Sequence, residues 1–124
     1  MSSEPIDIDG PDVDGDDAGR LIYRGEFFTG QAAEYGREGQ LLGLTSYVNG
    51  IPDGPDKGWY PDGTPESEGV VKYGRAVGEW RRWHPDGSLQ KLDIFSDKGD
   101  LLSRRMWDEN GNLIKEYTRR DTSR

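Results

Sequence analysis

One histidine and no cysteine occur in the 124 residues, so any chemistry must come from carboxylates, hydroxyls and that single imidazole. His84 stands between Trp83 and Pro85, at the shoulder of a turn. With no second His and no Cys, a zinc site of the usual kind has no ligands to draw on. Ser67, Ser88 and Ser103 lack the surroundings of a nucleophile elbow. Glu66 and Glu68 alternate as on a solvated strand face, whereas a glycosidase sets two carboxylates across a cleft. Asp7, Asp9, Asp12, Asp14 and Asp16 alternate like a calcium loop. An EF-hand, however, needs glutamate at its twelfth position, where this chain has Ala18 or Tyr23. The glycines are spread at even intervals and do not cluster before a helix to cradle phosphate. These residues predict no enzyme, no cofactor and no metal.

The even spacing is itself the main signal. Trp83-His84-Pro85-Asp86-Gly87-Ser88-Leu89 has counterparts 24 residues away on either side, and one more beyond the first: Tyr35 to Leu41, Trp59 to Pro65 and Trp107 to Leu113. Aromatics fall at Tyr35, Trp59, Trp83 and Trp107, and glycines at Gly39, Gly63, Gly87 and Gly111. A second series, Gly30, Gly54 and Gly78, keeps the same step. A fixed period of this size means an array of one supersecondary unit. Proline presets φ for a type I turn, aspartate suits the next position, and glycine takes the positive φ that follows. That is a three-residue hairpin loop with a bulge. It places His84 opposite Ser88 and Trp83 opposite Leu89, and likewise Tyr35 opposite Leu41, Trp59 opposite Pro65 and Trp107 opposite Leu113. Each such apolar cross-strand pair contributes roughly 0.2–1 kcal/mol.

Between the turns, residues 21–28 read as a strand, Asn49-Gly50 as a tight connection and residues 50–58, with Pro52 and Pro55, as a loop. Residues 66–73, 77–80, 90–95, 101–107 and 112–117 read as strands, with Ser96-Asp97-Lys98-Gly99 as a turn. Glycine or proline interrupts nearly every stretch of helical length. The fold class is therefore all-β, a single-layer antiparallel meander of about four hairpin repeats. Continuing the pairing rule of the third turn puts Trp83 and Leu89 on one face and Trp80, Leu92 and Ile94 on the other.

Only 31% of residues are hydrophobic and the mean hydropathy is −0.93, too little for a thick two-layer core. Net charge is −8, but residues 1–19 hold seven acids and no base. Removing those seven from the 24 acids leaves 17 against 16 bases, so the rest of the chain is almost neutral. Composition predicts that 1–19 is a disordered acidic tail, with Ile6 to Ile8 and Val13 offering a marginal edge strand. The repeat domain is expected over 20–118 and a frayed basic end over 119–124. No apolar run is long enough to span a membrane, no signal peptide is visible, and the lack of cysteine suits the cytoplasm.

Aromatic-x-x-(Asp/Asn)-Gly-x-Leu, followed by a strand and Tyr/Phe-x-x-Gly, resembles the MORN repeat in its bacterial variant form. The resemblance is carried by Trp83 to Leu89 with Phe95 to Gly99, by Trp107 to Leu113, by Trp59 to Gly63 with Tyr73-Gly74, and by Tyr35, Gly39 and Leu41 with Tyr47 to Gly50. Bacterial proteins of this kind are often grouped as YwqK-type antitoxins or immunity proteins. The resemblance thus implies a hairpin array that binds a protein partner, such as a cognate toxin.

Repeat arrays offer broad surfaces, and Trp, Tyr and Arg dominate interface hot spots. The periodic residues Tyr35, Trp59, Trp83 and Trp107 with their glycines are assigned to the framework. Tyr60, Trp80 and Arg82 break the period, and with His84 they are the candidate partner contacts. Three roles stay open. The first is an antitoxin whose acidic segment meets a basic toxin surface. The second is a scaffold that self-associates through edge strands. The third is a module for anionic lipid, which the negative charge disfavours, as it does nucleic acid.

Overall fold

The computed structural model describes residues 4–120. In chain order the strands are β1 (Ile6–Asp7), β2 (Val13–Gly15), β3 (Leu21–Tyr23), β4 (Glu26–Phe27), β5 (Gly30–Tyr35), β6 (Leu41–Val48), β7 (Ile51–Trp59), β8 (Pro65–Lys72), β9 (Arg75–Trp83), β10 (Leu89–Phe95), β11 (Leu101–Trp107) and β12 (Leu113–Thr118). From β5 to β12 each strand pairs antiparallel with the next, and β1 joins the outer edge of β5 in parallel, giving nine strands in one sheet. β2, β3 and β4 form a small second sheet. The chain is an all-β hairpin meander, as the repeat implies.

The four periodic turns all lie at one end of the long sheet. Each closes with the same two main-chain bonds. In the third, His84 N–H donates to Ser88 O at 2.8 Å and Gly87 N–H to His84 O at 2.9 Å. Gly87 takes a φ of 92°, in the left-handed region where a Cβ is strained. Asp86 Oδ1 accepts from the Ser88 N–H and hydroxyl, at 2.8 and 2.6 Å, and Asp62 repeats this with Thr64. The pairs Tyr35–Leu41, Trp59–Pro65, Trp83–Leu89 and Trp107–Leu113 are all in register. At the opposite end, Asn49-Gly50 and Tyr73-Gly74 make two-residue turns with positive φ at both positions.

Beyond each periodic turn the pairing shifts by one residue. Trp83 faces Leu89, but Arg82 faces Lys91 and Trp80 faces Asp93. The same extra residue occurs after Leu41, Pro65 and Leu113. This bulge inverts the expected faces, because one inserted residue moves every later side chain across the sheet. Trp80, Arg82, Asp93, Arg104 and Tyr117 share one face. Trp83, Leu89, Leu92 and Ile94 share the other with Arg81 and Arg105. Leu92 and Ile94 are therefore not on the Trp80 side.

Residues 50–58 are not a loop but the long strand β7. Its prolines are tolerated because the ladder to β6 is broken there: Thr45 faces Asp56 and Tyr47 faces Pro52, so three residues stand opposite Ser46. The Ser46 hydroxyl crosses this bulge to Pro55 O at 2.9 Å, and Gly54 bends through it at φ 116°. One unit later, Gly78 takes φ 67° where Gly69 alone faces three residues of β9. The second glycine series marks these bends.

The acidic segment is folded over its described part, against the expectation of a disordered tail and in keeping with the edge strand expected at Ile6 to Ile8 and Val13. Ile6 and Asp7 pair with Ala32 and Ala33, and Ile8 N–H donates to Ala33 O at 2.9 Å. The aspartates are used locally: Asp16 holds Arg20 at 2.7 Å and Asp12 holds Arg24 at 3.2 Å. Residues 21–28 are a short hairpin, β3–β4, instead of one strand. Its sheet is tied to the β6–β7 turn by Leu21 N–H to Gly50 O and Gly50 N–H to Phe28 O, at 2.8 and 2.7 Å. Phe28 sits between Tyr23 and Tyr47, with ring centres 5.7 and 6.2 Å away. At the other terminus Arg119 is still held, donating N–H to Leu102 O at 2.7 Å and pairing with Asp100 at 3.6 Å, while 121–124 lie outside the described residues.

The core is thin. Ala32, Ala33 and Val71 are its buried apolar members, and among the described residues no large side chain is fully buried.

Candidate partner-binding surface

The four residues singled out as contacts are all engaged by the fold. Tyr60 Oη donates to Trp83 O at 2.6 Å. His84 Nε2 lies 2.9 Å from Trp107 O and must carry the proton there, since a carbonyl only accepts. Tyr60 and His84 occupy the same place in successive repeats, as do Trp83 and Trp107. The position after each aromatic thus reaches to the next aromatic's carbonyl and ties neighbouring turns together. Gly36 stands there in the first unit and has no side chain to make the bond. His84 is buried, with 7% exposure, which removes it as a direct contact.

Trp80 lies flat on Gly69. A Cβ at that glycine would overlap the indole ring, and Trp80 Nε1 donates to Val70 O at 3.0 Å. The ring occupies the space that a side chain at 69 would fill and bridges β9 to β8. Arg82 donates to Gln90 Oε1 at 3.1 Å and Glu66 Oε2 at 3.3 Å, crossing three strands while staying half-exposed. Trp80 and Arg82 thus serve as joints between strands, and Tyr60 and His84 as ties between repeats.

Sequence reasoning missed Asp93, the most buried charged group at 3% exposure. It faces Trp80 and receives a two-pronged bond from Arg104 at 2.7 and 2.9 Å, with Lys91 Nζ 3.7 Å away. The bond to Asp93 pushes the Arg104 pKa up from its already high value. Removing one partner of such a pair strands the other charge. A hollow of about 220 Å³ opens above it, lined by Ala76, Trp80, Arg82, Lys91, Asp93 and Phe95. Its polar groups already have partners in the sheet, Asp93 in Arg104 and Lys91, Arg82 in Gln90 and Glu66, and Trp80 in Val70 O, so the hollow is a joint of the sheet with a shallow mouth. Nothing short of the β-bulge would have shown that Asp93 lies beside Trp80.

Unburied apolar groups lie elsewhere. Tyr35 and Leu41 flank the first turn, and Val48, Val70 and Tyr73 lie toward the opposite end, with Tyr73 75% exposed. On the last strand Leu113, Ile114 and Tyr117 are exposed, and every residue of β12 is solvent-accessible. The sheet's two edges differ. β5 is paired at Ala32 and Ala33 by β1, which carries Asp7, whereas β12 has no strand on its outer side among the described residues.

No helix of the described residues is long and apolar enough to cross a membrane. No curated protein matches the chain. Among solved structures it is similar to a mutant of S. aureus TarM in complex with fondaparinux, alpha-GlcNAc-glycerol and UDP. That likeness has a TM-score of 0.42 at 10% identity over 86% of this chain, which spans 19% of the other. Residues 76–97, running from β9 through the third turn and β10, match the MORN repeat variant.

Proposed function

We propose that the chain is a non-catalytic protein-binding module that neutralises a toxin, as an antitoxin or immunity protein. The observation that carries this reading is the sheet itself. It is one layer thick, buries no large side chain fully among the described residues, and leaves Tyr35, Leu41, Val70, Tyr73, Leu113, Ile114 and Tyr117 open to solvent. Such a surface suits occlusion of a partner better than turnover of a small substrate. The repeat match over 76–97 supports a binding module in the same way.

Charge suggests which partner. Asp9 and Asp17 are exposed at the acidic end and make no ion pair among the described residues. A basic partner surface, such as a nuclease cleft, would be drawn to that end, and the attraction would speed encounter. Capture from the native host tests the reading. The expected result is a stoichiometric protein that arrests growth when expressed alone and is relieved by this chain. A captured protein whose activity is unchanged in the complex would refute the neutralising role. Asp9→Asn/Asp17→Asn tests the electrostatic part, through slower association and a weaker dependence on salt.

A further inference from the structure

We infer that β12 is a self-complementary edge through which two copies join in one continuous sheet. In the β11–β12 ladder Arg119 N–H bonds Leu102 O, and Arg104 faces Tyr117. Antiparallel strands alternate, so Glu116, Thr118 and Arg120 turn their main-chain groups away from β11. A twofold axis perpendicular to the sheet at Thr118 sets those outward groups against their own copies. In that register Glu116 faces the second copy's Arg120, Tyr117 faces its Arg119, and Thr118 faces Thr118.

The chemistry matches at every step. Opposite charges meet twice, a tyrosine meets a guanidinium twice, and two hydroxyls meet at the axis. The faces match as well, because residues two and four apart on a strand share a side. Arg120 makes no ion pair among the described residues, and Glu116 is held to Arg105 at 3.0 Å on the exposed face. In the pair, Glu116 would sit between two guanidinium groups. Shifting the axis to Glu116 or Lys115 would instead set like charges against each other.

The remaining charge does not oppose this union. The acidic ends would lie seventeen strand steps apart, about 80 Å along the sheet, far beyond the Debye length of ~8 Å at physiological salt. The assembly stops at two, because β1 covers the other edge and the contact at β12 is used up by its own twofold. Pairing of one short strand buries less than a standard interface, so the association is weak and concentration-dependent.

Sedimentation across a concentration series up to ~1 mM tests the inference. The mass should rise from one 13.9-kDa chain toward two and no further. Glu116→Arg and Arg120→Glu should each weaken association about tenfold or more, and an equimolar mixture of the two variants should restore it. Thr118→Pro, which removes an outward N–H and no bond to β11, should weaken it with the circular dichroism of the fold unchanged. A monomer throughout, growth past the dimer, or a mixture no tighter than its components would overturn the proposal. So would association that survives all three substitutions.

Discussion

The imidazole of His84 lies 2.9 Å from the main-chain oxygen of Trp107, repeating one unit later the bond from the Tyr60 hydroxyl to Trp83 O. These side chains fasten each turn to the next in a sheet whose core is too thin to do so by burial alone. His84→Ala removes the bond to a part-buried carbonyl and should cost about 1–3 kcal/mol, read as a lower denaturant midpoint. Tyr60→Phe should cost about 0.5–1.5 kcal/mol, since it removes one bond and keeps the ring. Equal stability of both variants with the parent would show that the ties are incidental.

Gly69→Ala is the sharpest packing change. The added methyl must displace the Trp80 indole and break its bond to Val70 O. The loss should be about 1–3 kcal/mol, accompanied by a red shift of tryptophan emission. An unshifted spectrum would mean that Trp80 does not lie on Gly69 in solution.

Stability should respond to acid through two groups of opposite sign. The bonds from Ser88 hold Asp86 below its usual pKa, those from Thr64 do so for Asp62, and the Asn112 main chain does so first for Asp108. A lowered native pKa adds stability that is full above the unfolded value, near 3.8, and is lost as pH falls through the native one. Replacing the three by Asn should flatten the acid limb below pH ~4. Asp56 is opposite: burial raises its pKa, with Thr45 pulling the other way. Its contribution is full below the unfolded value and lost as pH rises through the raised one. Asp56→Asn should therefore raise the melting temperature at pH 7 and leave it unchanged at pH 3.

Deleting residues 1–9 should do more than remove charge. Ala32 and Ala33, now at 2% and 0% exposure, would lie open on an uncovered β5, and bare edges invite aggregation. Light scattering should show large species for the deletion and none for Asp9→Asn/Asp17→Asn. A soluble, monomeric deletion would show that β1 is dispensable as a cover.

Which parts of this were legible in the sequence follows from what each signal encodes. The turns could be read because proline, aspartate and glycine constrain φ locally, and all four aromatic pairs beside them followed. The bulge after each turn could not. Its extra residue is detectable only against a long clean alternation of apolar and polar positions, and within residues 89–95 only Lys91 to Ile94 alternate. Proline hid β7, because a strand interior normally rejects it and the bulge that accommodates it shows only against Ser46 on the neighbouring strand. Composition argued for a disordered tail, since seven acids outweigh Ile6 and Ile8 in any average, yet those residues also offered the edge strand that is β1, because two or three main-chain bonds suffice to dock them. Tyr60, Trp80 and Arg82 stand out as candidate contacts by departing from the period, which a joint between repeats does as readily as a binding residue.

The account depends most on a single-layer sheet that is covered at β5 and open at β12. Residue-resolved amide exchange on dilute protein tests this directly. Lys115 and Tyr117, whose N–H groups face β11, should be protected, while Glu116 and Thr118 should exchange freely and slow only as concentration rises. Protection of all four at every dilution, or of none, would contradict it.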